Sequence, residues 1–225
     1  MFSSLEDITQ TFGINFKDGA ENNEYLNETL DIFNGKIEKY EKSEDGLILN
    51  MIGIYYKSIN KNYKLMKKYY LMSIKLGTHF AMYNLGNYYK TEEKNYNLMK
   101  KYYLMAIELG HMNAMNNLGH YYHHIEKNYE LMKKYYLMAI ELGNSTAMYN
   151  LGHYSKNLEK NYELMKKYYL MAIKLGNINA MINLGNYYRY IEKNYELMKK
   201  YYIMAIESGY DENKIKLSDI EKYYY

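Results

Sequence analysis

The chain is 225 residues long, 48% hydrophobic and 24% charged, a balance that excludes a disordered tail and supplies enough apolar side chain for a core. It contains no cysteine, which excludes a disulfide framework and a thiolate metal site and agrees with a reducing, cytoplasmic location. Its formal net charge of +3 is too small to mark the whole chain as a polyanion binder.

No apolar h-region opens the chain and no run of about 18 apolar residues interrupts it, so neither a secretory signal nor a membrane span is expected. Residue usage is lopsided, with 33 Tyr, no Trp, no Pro and Arg189 as the one arginine, as A/T-rich coding produces. Much of the Lys and Asn excess is therefore not read as function.

Residues 1–45 carry 11 acids and four lysines, net −7, whereas residues 46–225 carry net +10. Phe2, Phe12, Phe16 and Phe33 also lie in that first stretch. The break near residue 45 marks off an acidic N-terminal segment, with a capping helix expected within residues 24–42.

Beyond it, Leu85-Gly86, Leu118-Gly119, Leu151-Gly152 and Leu184-Gly185 recur every 33 residues, with Ala81, Ala114, Ala147 and Ala180 four residues ahead. A period in this range predicts an all-α solenoid of antiparallel helix pairs, in which no unit buries its apolar face alone. The units run 48–80, 81–113, 114–146, 147–179 and 180–212, the first looser, with Ile52-Gly53 in place of Leu-Gly. In unit 81–113, helix A is predicted from about Ala81 to Lys90 and helix B from about Tyr96 to Leu109. Asn62, Asn95, Asn128, Asn161 and Asn194 stand where helix B needs an N-cap. Gly77, Gly110, Gly143, Gly176 and Gly209 stand where its C-terminus needs a positive φ.

On helix B, Met132, Tyr135, Tyr136 and Ala139 form the i, i+3, i+4, i+7 stripe of a packing face. Tyrosine pairs such as Tyr102-Tyr103 admit two uses: an exposed aromatic platform, or rings between helices with hydroxyls toward water. Leu217-Ser218 continues the 33-residue step, so residues 213–225 are expected to form a C-terminal capping helix.

The Leu-Gly-x-x-Tyr stretch, the Tyr-Tyr seven residues before a Gly and the Ala one turn on together resemble the Sel1-like repeat, a relative of the tetratricopeptide repeat, over residues 46–212. The resemblance implies a right-handed superhelix of helix pairs, an adaptor role toward other proteins, and a concave groove lined by helix A. The chain departs from the family in its shorter unit. Its A–B loop is cut to Thr91-Glu92-Glu93-Lys94, and Asn95 stands in place of an aspartate. Together with the coding bias, the pattern resembles the Sel1-like repeat proteins of mimivirus-type giant viruses, which implies host cytoplasm as the location.

Compared with one another, the units share helix B almost residue for residue and differ on helix A. The position of Tyr83 becomes Asn116, Tyr149 and Ile182, and that of Asn87 becomes His120, His153 and Asn186. The position of Lys90 becomes His123, Lys156 and Arg189, and that of Thr91 becomes His124, Asn157 and Tyr190. At about 100° per residue these positions share one arc of helix A, away from the unchanging Leu85, Tyr88 and Tyr89. That arc is the candidate partner-binding groove. Drift at exposed positions is the competing account, and the lysine pairs such as Lys67-Lys68 and Lys133-Lys134 count against it. They look equally exposed, yet never change. Asn84, Asn117, Asn150 and Asn183 form a second ladder at the groove edge, suited to pairing with an extended peptide backbone or to bonding the next unit's helix end.

His120, His123 and His124 lie within one helical turn, with His153 as the next unit's counterpart of His120. No Cys or carboxylate sits at matching spacing, so no metal is expected. No nucleophile–base pair or phosphate loop appears, so neither catalysis nor a cofactor is expected. The lysine pairs interleaved with tyrosines raise nucleic acid as a partner. Glu108, Glu130 and Glu141 on the same helices oppose it. The reading that follows is a non-enzymatic scaffold holding a peptide or helix of a partner protein. The alternatives are a nucleic-acid-binding repeat and a self-assembling structural protein whose acidic N-terminal segment docks on a neighbour.

Overall fold

The computed structural model describes residues 2–12 and 25–215, and every regular element among them is helical. Two short helices, α1 (Leu5–Phe12) and α2 (Leu26–Phe33), precede the array. The A helices are α3 (Gly46–Ser58), α5 (His79–Thr91), α7 (Met112–His124), α9 (Ser145–Tyr154) and α11 (Ile178–Tyr187). The B helices are α4 (Tyr63–Lys75), α6 (Tyr96–Glu108), α8 (Tyr129–Glu141), α10 (Tyr162–Lys174) and α12 (Tyr195–Glu207). The expected C-terminal capping helix falls mostly on residues 216–225, outside the described residues; before them, Glu212–Ile215 is a 3-10 turn. The chain divides into two compact halves, Met1–Ala114 and Met115–Tyr225. In the first, α2 packs on α3, α3 on α4 and α5 on α6; in the second, α9 packs on α10 and α11 on α12.

Local chemistry sets the helix ends. The Asn62, Asn95, Asn128, Asn161 and Asn194 side chains each accept the backbone N–H three residues on. Such caps are worth about 1 kcal/mol apiece. At the C-terminus of α6, Gly110 (φ 78°) donates to the Ile107 carbonyl at 2.9 Å and His111 to the Ala106 carbonyl at 3.0 Å. This is a Schellman closure, and it explains the periodic glycine.

The shortened A–B loop closes differently. Lys61, Lys94, Lys127, Lys160 and Lys193 take φ of 51–58°, the left-handed region that costs a side-chain-bearing residue about 1–2 kcal/mol. That turn lets Asn95 N–H reach the Tyr89 carbonyl at 2.9 Å, and Asn161 and Asn194 close their loops the same way. The A helices α9 and α11 reach this turn through π-helical segments, Ser155–Glu159 and Tyr188–Glu192.

The glycine inside each A helix answers to a ring. A Cβ on Gly86 would lie 2.6 Å from Tyr103 Cδ1, and one on Gly152 would lie 2.7 Å from Tyr169 Cδ1. The second tyrosine of each helix B pair therefore lies flat across the neighbouring A helix, and only glycine leaves room for it. The first tyrosine stacks on a helix A ring: Tyr56 on Tyr69, Tyr89 on Tyr102, Tyr122 on Tyr135 and Tyr188 on Tyr201, at 5.5–5.7 Å and within 7° of parallel. Of the two uses open to the tyrosine pairs, the rings take the interface. Unit 147–179 breaks the pattern, because Ser155 stands where the other units place the stacking tyrosine.

Candidate functional site

The groove residues divide into those the array uses and those it does not. Tyr83 stacks on Tyr103 at 6.0 Å and on His111 at 4.4 Å; Tyr149 stacks on Tyr169 at 5.8 Å. Both lie half-buried over the second tyrosine of helix B, as does Ile182 by its place in the repeat.

The asparagine ladder is engaged within each half. Asn84 Nδ2 donates to Asn50 Oδ1, Asn150 Nδ2 to Asn116 Oδ1 and Asn183 Nδ2 to the Tyr149 hydroxyl, each at 3.0 Å. Asn50, Asn116 and Tyr149 all occupy the Tyr83 position of the preceding unit. The ladder amides therefore bond a neighbouring side chain rather than a helix end, and couple the most variable groove position to the next unit. Asn117, the remaining rung, is half-buried on α7.

The position of Asn87 carries a second function. Asn87 Oδ1 accepts from the buried Tyr103 hydroxyl at 2.5 Å and Asn186 Oδ1 from Tyr202 at 2.7 Å. Where the position is not Asn, the phenol beneath loses its acceptor. The buried hydroxyls of Tyr70, Tyr136 and Tyr169 have no hydrogen-bond partner, and their units carry Ile54, His120 and His153. His120 lies exposed with its ring 4.2 Å from that of His124, and His153 Nε2 lies 2.9 Å from the Asn157 amide nitrogen. Burial raises the Tyr136 and Tyr169 phenols well above the ordinary tyrosine range.

A buried hydroxyl without an acceptor costs about 1–3 kcal/mol, against a net gain of about 1 kcal/mol for a bonded one. Tyr103→Phe is therefore expected to lower the urea midpoint, by about 1 kcal/mol of stability. Tyr136→Phe is expected to leave the midpoint unchanged or raise it. Equal losses in the two variants would contradict the assignment.

At the last groove position, Lys90, Lys156 and Arg189 are half-buried near the helix A C-termini, as is Lys57, their counterpart on α3. Burial pulls the Lys57 and Lys90 ammonium groups below the usual lysine range. Among the described residues no carboxylate lies within salt-bridge distance of Lys57, Lys90 or Lys156. His123 meets Tyr154 edge-on at 5.7 Å, and burial, then His124 and His153, lower its pKa. The Arg189 guanidinium lies 5.1 Å from the Tyr190 ring centre. No group of three or more His, Cys, Asp or Glu capable of holding a metal occurs among the described residues.

Reading the sequence missed one network. Tyr88, Tyr121 and Tyr187 donate their hydroxyls to Glu93, Glu126 and Glu192, five residues on. The first lysine of a helix B pair reaches the same carboxylate from the preceding unit: Lys67 to Glu93, and Lys166 to Glu192 at 3.2 Å; Lys133 likewise pairs with Glu159 at 2.7 Å. Those lysines also lie over the next unit's rings, at 5.1 Å for Lys67 and Tyr88 and 5.3 Å for Lys133 and Tyr154. They are half-buried ties between units, which corrects the view that both lysines of a pair are simply exposed. The signal was available, because the Lys–Glu interval of 26 residues recurs four times, from Lys67 to Glu93 through Lys166 to Glu192.

Comparison with known proteins agrees with this architecture. A Sel1 repeat protein from Oxalobacter formigenes superposes with a TM-score of 0.67 and 24% identity, covering 82% of this chain and 84% of that one. A protective antigen of uropathogenic Escherichia coli displaying an SLR fold gives 0.71 and 22% identity over 88% of this chain, which spans 45% of that one. An immunity protein from Pseudomonas aeruginosa gives 0.55 and 20% identity, covering 84% of this chain and 77% of that one. No family model matches the sequence. No curated protein matches it either. The fold is thus that of Sel1 repeat proteins, an all-helical array of adjacent helix pairs. No helix among the described residues is long and apolar enough to cross a membrane.

Proposed function

We propose that the chain is a non-enzymatic scaffold whose helix A face, through the positions of Tyr83, Asn87 and Lys90, holds a peptide or helix of a partner protein. One observation carries this reading. His120 and His153 stand where Asn87 and Asn186 satisfy a buried phenol, and they leave Tyr136 and Tyr169 without an acceptor. A surface shaped by stability alone would keep asparagine throughout, and positions that give up stability mark function. The Sel1 repeat fold supports a binding role in place of a catalytic one.

The accompanying division is an acidic segment over 1–45, five units over 46–212 and a terminal cap over 213–225. With the viral origin that the coding bias suggests, the partner is a host or viral factor in infected cytoplasm. Nucleic acid fits less well, since Lys67, Lys133 and Lys166 are held by glutamates. The double variant His120→Asn/His153→Asn tests the reading. It is expected to raise stability, by about 1 kcal/mol per restored bond, and to weaken partner capture from source cells about tenfold or more. Capture unchanged in the stabilised variant would sink the helix A face as the binding surface.

A further inference from the structure

Two cation ladders run through the repeats, and the protein treats them oppositely. The first lysine of each helix B pair is tied to a carboxylate wherever the structure gives its partner, as for Lys67, Lys133 and Lys166. The position of Lys90 is also cationic in the charge it can carry in every unit, as Lys57, Lys90, His123, Lys156 and Arg189. Four of the five residues carry a standing positive charge, and His123, whose pKa burial lowers, is the exception. Lys57, Lys90 and Lys156 have no carboxylate at bridging distance among the described residues. A cation near a helix C-terminus gains from the backbone dipole, which explains a preference for charge there. Glu92 acts on Lys57 through space, but nothing comparable acts on Lys90, and the dipole does not explain its half-burial without a counter-ion, since desolvating an ammonium is unfavourable unless an anion offsets it.

We propose that the lysines of this position, Lys57 and Lys90 in one half and Lys156 in the other, receive the carboxylates of acidic peptide segments of the partner protein. The proposal rests on the helix A face being the partner surface, and names the chemistry that surface selects. Packed helices lie about 8–10 Å apart. An extended chain advances about 3.3 Å per residue, so one carboxylate in roughly three residues meets successive rungs within a half. The three described aspartates of the chain's own N-terminal segment are already bonded. Asp7 accepts from Ser3 and Ser4, Asp31 pairs with Lys36 and Lys39, and Asp45 caps α3.

The test uses the full chain and a fluorescein-labelled peptide of repeated Glu-Ser-Ser, read by anisotropy at low salt. Binding is expected, falling as salt is raised. It should weaken about five- to tenfold in Lys90→Gln/Lys156→Gln and less than about twofold in Lys101→Gln/Lys134→Gln, which removes the same charge from exposed helix B positions. Three results would each overturn the proposal: no binding at low salt, equal weakening by both doubles, or tighter binding of a deoxythymidine oligonucleotide with the same dependence on Lys90 and Lys156. The groove reading fails separately, if His120→Asn/His153→Asn leaves partner capture intact.

Discussion

Gly152→Ala is expected to destabilise the protein by about 1–2 kcal/mol, although alanine is the better helix former by about 1 kcal/mol. The added Cβ would stand 2.7 Å from Tyr169 Cδ1, 2.8 Å from its Cε1 and 3.4 Å from the Met165 carbonyl oxygen. Tyr169 is fully buried and stacked against Tyr149, so the ring cannot yield without parting α9 from α10. A second substitution isolates the cause. In a Tyr169→Leu background the ring is gone, and Gly152→Ala should become neutral or stabilising, since only the propensity gain remains. Urea titration of the four proteins in this cycle reads the coupling. An alanine that destabilises equally in both backgrounds would mean that the ring is not what demands glycine.

The second large effect is acid sensitivity centred on His111. This residue is 5% exposed, and its Nδ1 caps α7 by accepting the Ala114 N–H at 3.3 Å. Its ring faces Tyr83, Phe80 and His79, whose Nδ1 is buried without a partner. Burial first, and then the neighbouring His79, push the His111 pKa down to about 4. A histidine depressed in the folded state is bound to a proton more readily when unfolded. Its contribution is complete above the unfolded value near 6.5 and is lost as pH falls from there toward 4. The loss amounts to about 3 kcal/mol.

The protein supplies the control, since Asn144 and Asn177 hold the corresponding caps, accepting from Ala147 and Ala180 at 2.8 and 3.0 Å. His111→Asn should keep the cap and flatten the stability profile across that window relative to the parent chain. Identical acid profiles for the two would place the sensitivity elsewhere.

Much of this fold was legible because repetition displays the same constraint five times. The caps at Asn62 through Asn194 and the positive-φ glycines follow from local rules of helix ends, which need no knowledge of the neighbouring chain. The left-handed lysines were not legible, because only the closed loop shows that Lys94 takes the place a glycine would fill. Contacts between elements were harder still. Tyr103 and Asn87 stand 16 residues apart, and Lys166 and Glu192 stand 26 apart across two units, so their pairing depends on how helices stack. The variable arc of helix A was found by comparing units. Its division into array-bonded positions, such as Asn84 and Asn87, and cations without carboxylates, such as Lys90 and Lys156, required the packed structure.

Hydrogen exchange on the complex with a captured partner tests the central claim most directly. Protection should concentrate on the C-terminal turns of α5, α7, α9 and α11, around Lys90, His123, His153 and Arg189. The B helices, which carry the lysine pairs, should exchange as in the free chain. Protection centred on α6, α8 and α10, with the A helices unchanged, would contradict the account.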